Sequence, residues 1–196
     1  MLHKAFTAGS IIGLSCMIYA SCSNTIIGAL LFSIGLLTIL YCKLPLYTGM
    51  VGCTKLKDTA NLLPVIIFNQ LGVMVIAFMC LFTFPESMIA TITHIASSKI
   101  SESMLNAISQ AILCGVLMQM AVTAFRKDAP YLTVLCVASF IIAGFEHSIA
   151  NFFWLFFCGK NLMVNVILYS ILYLIGNGIG AKLINSGGVN YNTEKN

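Results

Sequence analysis

Glu146 and His147 stand side by side near the middle of an apolar run over residues 131–157. With Gly144, Ser148 and Asn151 they form a polar knot, Ala-Gly-Phe-Glu-His-Ser-Ile-Ala-Asn at 143–151. The run is long enough to cross a bilayer, which takes about 20 residues. An ionisable side chain at mid-depth in hydrocarbon costs roughly 2.5–3.5 kcal/mol on insertion scales, and such residues face a bundle interior or a water-filled route. A histidine there can donate a hydrogen bond or exchange a proton near neutral pH. Two chemistries are open for the pair: movement of a polar solute, or a structural His–Glu contact that pins two helices.

The elements that position this knot must live in lipid. Hydrophobic residues make up 59% and charged residues 8% of 196 positions, with a mean hydropathy of +0.97. Soluble domains carry about 25% charged residues. A soluble core cannot hide this much apolar surface, so the expected class is an all-α, multi-pass membrane protein without a separate soluble domain. The net charge of +4 comes from scattered basic residues and gives no reason to expect nucleic acid. The eight cysteines include no C-x-x-C, lie mostly in apolar runs and read as packing residues. With three histidines and none at i, i+4 spacing, no metal centre, no cofactor and no enzyme activity is expected. His3 and His94 are expected to have no role. Residues 1–22 begin with only His3 and Lys4 as a basic flank and run straight into further apolar segments, so they read as a membrane span and not as a signal peptide.

Hydropathy predicts six spans, at about 5–21, 24–42, 62–84, 104–125, 130–157 and 162–184. Residues 86–103 read as the longest polar loop, 55–58 as a short one, Gly159-Lys160-Asn161 as a turn and 185–196 as a flexible cytoplasmic tail. Six crossings place both termini on one side. With that side cytoplasmic, Lys4, Lys55, Lys57, Arg126, Lys127, Lys182 and Lys195 lie inside, while Lys99 and Lys160 lie outside, as the positive-inside rule asks. The chain reads as one transmembrane channel domain over 1–196, with a first repeat at about 4–84 and a second, inverted, at about 100–184. The second member of each repeat is interrupted, by Pro45 to Gly49 in one and by the polar knot in the other. Paired interruptions of this kind mark a mid-membrane binding or conduction site. Asn69-Gln70-Leu71-Gly72 in the third span also echoes Gly176-Asn177-Gly178-Ile179-Gly180 in the sixth.

Gly-Phe-Glu-His-Ser-Ile-Ala-Asn at 144–151 resembles the signature of the formate–nitrite transporter family. Leu46-Tyr47-Thr48-Gly49 resembles that family's leucine–aromatic–threonine loop, and Lys99 falls at its vestibule lysine position. Phe32, Leu36 and Phe140 stand at the spacings of its apolar constrictions. The resemblance covers residues 4–184 and implies an aquaporin-like protomer, a homopentamer, and a substrate that is a small monovalent anion: formate, nitrite or hydrosulfide. The sequence departs from the family at Gly115, which replaces a common fourth-helix Asn, at Pro45, which replaces an acidic residue, and at Gln70, read as replacing the Asn of the third-helix motif. Gly49 in place of Ser leans towards nitrite or hydrosulfide.

The resemblance implies a route in which Lys99 draws the anion in by charge. Two apolar collars, Phe32 with Phe140 and Leu36 with Leu46 and Tyr47, would then strip its water. Between them His147 would hydrogen-bond the anion or hand it a proton, with Thr48 on the opposite wall and Glu146 and Asn151 orienting the half-helices. Gly115 would widen the site. Thr48 could instead cap a helix, and Lys99 could simply sit in water. The competing function is an aquaporin-like channel for water or neutral solutes, although no Asn-Pro-Ala pair occurs. An intramembrane hydrolase or a purely structural subunit fits less well.

Overall fold

The computed structural model describes residues 1–159 and 162–186, so Lys160, Asn161 and the segment 187–196 with Lys195 lie outside the described residues. Every regular element among the described residues is helical. In chain order they are α1 (Leu2–Ser21), α2 (Thr25–Tyr41), the short α3 (Tyr47–Met50), a 3₁₀ segment (Leu56–Leu62) and α4 (Leu63–Thr83). Next come α5 (Glu86–Lys99), α6 (Met104–Arg126), α7 (Pro130–Ile142), α8 (Ser148–Leu155) and α9 (Met163–Ser186).

The helix starts follow local chemistry. Asn24 Oδ1 accepts the Ile26 and Ile27 N–H groups at 2.9 and 3.1 Å and caps α2, and Ser103 Oγ accepts from Asn106 N to cap α6. Pro64 and Pro130 sit in first turns, where a missing N–H costs nothing. The stops before α3 and α8 share one device. Lys43 (φ 52°) ends the turn after α2, and Gly144 (φ 73°) ends the turn after α7, each reversing the backbone in the left-handed region.

Among the described residues, three helical stretches, Leu56–Thr83, Met104–Arg126 and Met163–Asn185, are long and apolar enough to cross a membrane by length and composition; α2 and α7 are shorter apolar helices. Their outer faces carry exposed Ile26, Ile34, Phe78, Phe82, Ile167 and Ile175, a surface suited to lipid. Association therefore rests on close packing and interhelical hydrogen bonds, not on withdrawal from water. The most extensive pairings are α1 on α4 and α6 on α9. Both use glycine to bring backbones together: a Cβ on Gly9 would stand 1.9 Å from the Asn69 carbonyl oxygen, and one on Gly115 2.3 Å from that of Asn177.

Residues 86–103, expected as a loop, are helical as far as Lys99. Their Ser and Thr content reads as loop, but the hydroxyls of Thr91, Thr93 and Ser97 fold back onto carbonyls four residues earlier. Ile92 and Ala96, one turn apart, are buried against the core. The segment 55–58 is likewise not a plain loop, since its chain coils into the 3₁₀ segment. α9 continues through Asn185 to Ser186, two residues that were expected in the tail.

Candidate functional site

The non-helical stretches before α3 and α8 bring Thr48 and His147 together in the protein interior. Thr48 Oγ1 lies 3.0 Å from His147 Nε2, and the two residues are 1% and 2% exposed. His147 is itself the N-cap of α8: its Nδ1 accepts the Ala150 N–H at 3.1 Å. A nitrogen that accepts carries no proton, so the neutral ring bears its hydrogen on Nε2 and donates it to Thr48. The Thr48 hydroxyl proton is then left to face another acceptor. Phe140 stacks on the imidazole at a centroid distance of 5.6 Å and 22°, and Phe32 meets Phe140 edge-on at 6.2 Å. The cap of α3 is Leu46, with no side-chain bond of its own, so Thr48 reaches across to the histidine and does not cap the helix it sits on.

Glu146 is 4% exposed and holds three donated hydrogen bonds. Lys99 Nζ lies 2.8 and 2.6 Å from its two oxygens, and Asn151 Nδ2 lies 2.5 Å from Oε2. A buried carboxylate requires such pairing. Lys99, at the last position of α5 and 17% exposed, is therefore a partner of Glu146 and not a lysine standing in water. The Tyr173 hydroxyl donates to the Lys99 carbonyl at 3.0 Å and fixes the end of α5.

Two amides that sequence reasoning did not single out hold the framework. Asn69 on α4 accepts the Tyr47 N–H at 3.0 Å and donates to the carbonyls of Ala5 and Pro45 at 2.8 and 3.0 Å. Asn177 on α9 accepts the Ser148 N–H at 2.8 Å and donates to the carbonyls of Ala111 and Glu146, both at 2.8 Å. Each is fully buried and satisfies the first N–H of a short helix from outside it. Asn69, and not Gln70, thus carries the third-helix amide role, which corrects the reading of Gln70 as its replacement. The signal was present in the echo between the two segments, but it was read one residue out of register.

Two cavities flank the Thr48–His147 contact. One, of about 680 Å³, is lined by Ile39, Leu40, Lys43, Leu44, Leu46, Gly49 and Met50 together with Leu36, Arg126, Lys127 and Asp128. The other, of about 170 Å³, is lined by Phe140, Ile141, Gly144, Phe145, His147, Ala150 and Asn151 together with Phe32, Lys99 and Trp154. The first seven residues of each set stand in register, each pair 101 positions apart. Thr48 itself lines neither cavity; its neighbours Leu46 and Gly49 line the larger one and its partner His147 lines the smaller. In this register His147 corresponds to Leu46, Glu146 to Pro45 and Asn151 to Met50, while Thr48 corresponds to Ile149, so one member supplies the Glu–His pair and the other the hydroxyl.

Not every candidate faces a cavity. Tyr47 turns its hydroxyl to the Leu174 carbonyl of α9 at 2.8 Å and lines neither cavity. Gly115 lies at the α6–α9 crossing against Asn177, as Gly9 lies against Asn69, and also lines neither. His3 and His94 line neither cavity. Among the described residues no cluster of three or more His, Cys, Asp or Glu side chains could hold a metal.

The profile of the Formate/nitrite transporter family matches residues 1–191. The formate channel FocA of Escherichia coli K12 is 25% identical, the match covering 77% of this chain and 63% of that protein. FocA of Escherichia coli O157:H7 matches with the same figures. The chain thus spans less than two thirds of the length of these relatives. Among solved structures, a pentameric formate channel with formate bound superposes with a TM-score of 0.78 at 23% identity, covering 95% of this chain and 93% of that one. An FNT family ion channel gives 0.79 at 17% identity, covering 95% and 87%. These two likenesses show the fold. The chain is a multi-pass membrane protein of the formate/nitrite transporter family, a family of transporters and not of enzymes.

Proposed function

We propose that the protein is a membrane channel for small monovalent anions of weak acids, of the formate, nitrite or hydrosulfide kind, with one pore in each subunit. The observation that carries this reading is the Thr48–His147 contact, buried between two cavities and set at the starts of two short helices. Six crossings as an inverted 3+3 repeat in one domain, with interrupted second and fifth crossings and an aquaporin-like protomer, are supported by the register between the cavity linings. Homopentameric assembly is supported by the likeness to a solved channel that is itself pentameric. Cytoplasmic termini are supported by the distribution of lysine and arginine.

In this reading the anion enters the smaller cavity, where Lys99 is held beside the path by Glu146. Phe32 and Phe140 on one side, and Leu36 with Leu46 on the other, are the apolar collars that exclude bulk water. A bare anion is costly there, because desolvation without hydrogen-bond partners is expensive. Thr48 O–H and His147 Nε2–H are the donors between the collars; when the ring takes up a proton from water it can pass one to the anion and return to its neutral form, so that the solute crosses as its neutral acid. Asn151 orients Glu146, and Phe140 holds the ring plane.

Purified protein in liposomes tests the proposal. Formate and nitrite flux above protein-free vesicles, with water permeability unchanged, is the expected result. Raised water permeability by stopped-flow without anion flux would instead establish the water-channel alternative.

A further inference from the structure

The C-terminal end of α3 is fastened to α9 by a lysine that the anion route does not use. Lys182 Nζ donates to the Thr54 carbonyl at 2.6 Å and to the Val51 carbonyl at 3.1 Å, and Asn185 Nδ2 donates to the Gly52 carbonyl at 2.8 Å. These carbonyls follow a helix of only four residues, too short to satisfy them internally. A cation there also answers the negative end of the helix dipole. The approach is close, since a Cβ on Gly52 would stand 3.2 Å from the Ala181 Cβ. Asn69 holds the other end of the same helix. Thr48 therefore sits on a short rod held at both ends, with its hydroxyl 3.0 Å from His147 Nε2.

We infer that Lys182 is a positioning residue: it sets the depth of α3, and through it the placement of the Thr48 hydroxyl against His147 and of Leu46 at the collar. The inference rests on the proposed anion conduction for its functional consequence, but not for its structural one. An ammonium bonded here to backbone carbonyls is a device for holding backbone and not for steering solute.

Two measurements test it. In liposomes, Lys182→Met is expected to raise the half-saturation concentration for formate by about tenfold, the effect of losing a charge-assisted contact. Lys182→Arg, which keeps the charge, is expected to restore it to within about twofold. In a Thr48→Val background Lys182→Met should add less than about twofold, because the two changes act through one contact. Full additivity of the two changes, or an unchanged half-saturation in Lys182→Met, would overturn the inference. The second measurement needs no transport: backbone hydrogen exchange of the peptide spanning 47–54 should rise in Lys182→Met and Asn185→Ala, while that of α2 stays as in the parent. Equal protection of 47–54 in parent and variants would overturn the inference whatever the substrate. A parent protein that moves no anion, with exchange behaving as expected, would count against the anion proposal and leave the clamp standing.

Discussion

Asn69 and Asn177 make the same three hydrogen bonds at corresponding places in the fold: one accepted from the first N–H of a short helix, one donated to the carbonyl two residues before that N–H, and one donated to a neighbouring long helix. Each amide is packed against a glycine of that long helix, Gly9 for Asn69 and Gly115 for Asn177. The pair fixes where the two short helices begin, and so where Thr48 and His147 meet.

Replacing either amide leaves a buried N–H and two carbonyls without their partner. Asn69→Ala and Asn177→Ala should each destabilise the protein by about 1–3 kcal/mol. Thermal unfolding in detergent measures this as a lowered midpoint. Gln70→Ala, beside Asn69, is expected to change it little.

The Lys99–Glu146 pair is the next test. Lys99→Met strands a buried carboxylate, and breaking a buried pair from one side costs about 3–5 kcal/mol. Glu146→Gln in the same chain removes the orphaned charge, so the double variant should be more stable than Lys99→Met alone. A double variant that is less stable than either single one would mean that the pair is not coupled as its geometry implies.

Gly115 separates packing from solute contact. A Cβ at this position meets backbone, not a flexible side chain, so Gly115→Ala should be destabilised by about 1–3 kcal/mol through overpacking. Gly115→Asn should be worse still and should not improve anion affinity. Tighter formate half-saturation in a well-folded Gly115→Asn would return the position to the solute route.

Glu102, on the connection between α5 and α6, carries a pH signature. Its carboxyl is pushed above the usual range first by burial and then by the nearby charge of Glu146, against the opposing pulls of Asn106, Lys99 and Tyr173. A raised folded-state pKa means that the folded protein binds this proton more tightly than the unfolded chain. The contribution is therefore fully present below the ordinary carboxylate pKa and is lost as pH rises through the raised value. Glu102→Gln should raise the unfolding midpoint at neutral pH and flatten its decline between mildly acidic and neutral pH.

The helical, membrane-embedded character of the chain was legible because composition alone rules out a soluble core. The pairing of the two interruptions was legible because non-helical backbone at membrane depth must be buried or face a cavity, while the placing of Thr48 opposite His147 came from the family resemblance. Other features were hidden for physical reasons. Residues 86–99 read as a loop because serine and threonine are polar, yet in a helix their hydroxyls bond back to their own turn. Asn69 was confused with Gln70, neighbours that point about 100° apart on a helix, a difference that only packing resolves. Lys182 counted as a topological charge, since nothing in its surroundings in sequence names the carbonyls after α3 as its partners. Tyr47 stood beside Leu46 in sequence, but the turn into α3 sends its hydroxyl to α9.

The central claim is that an imidazole between two cavities handles the solute, and one flux comparison tests it most directly. Formate and nitrite entry into liposomes bearing His147→Phe should fall at least about tenfold below the parent, ~1.4 kcal/mol or more of lost stabilisation. A folded His147→Phe that carried both anions at the parental rate would contradict the account.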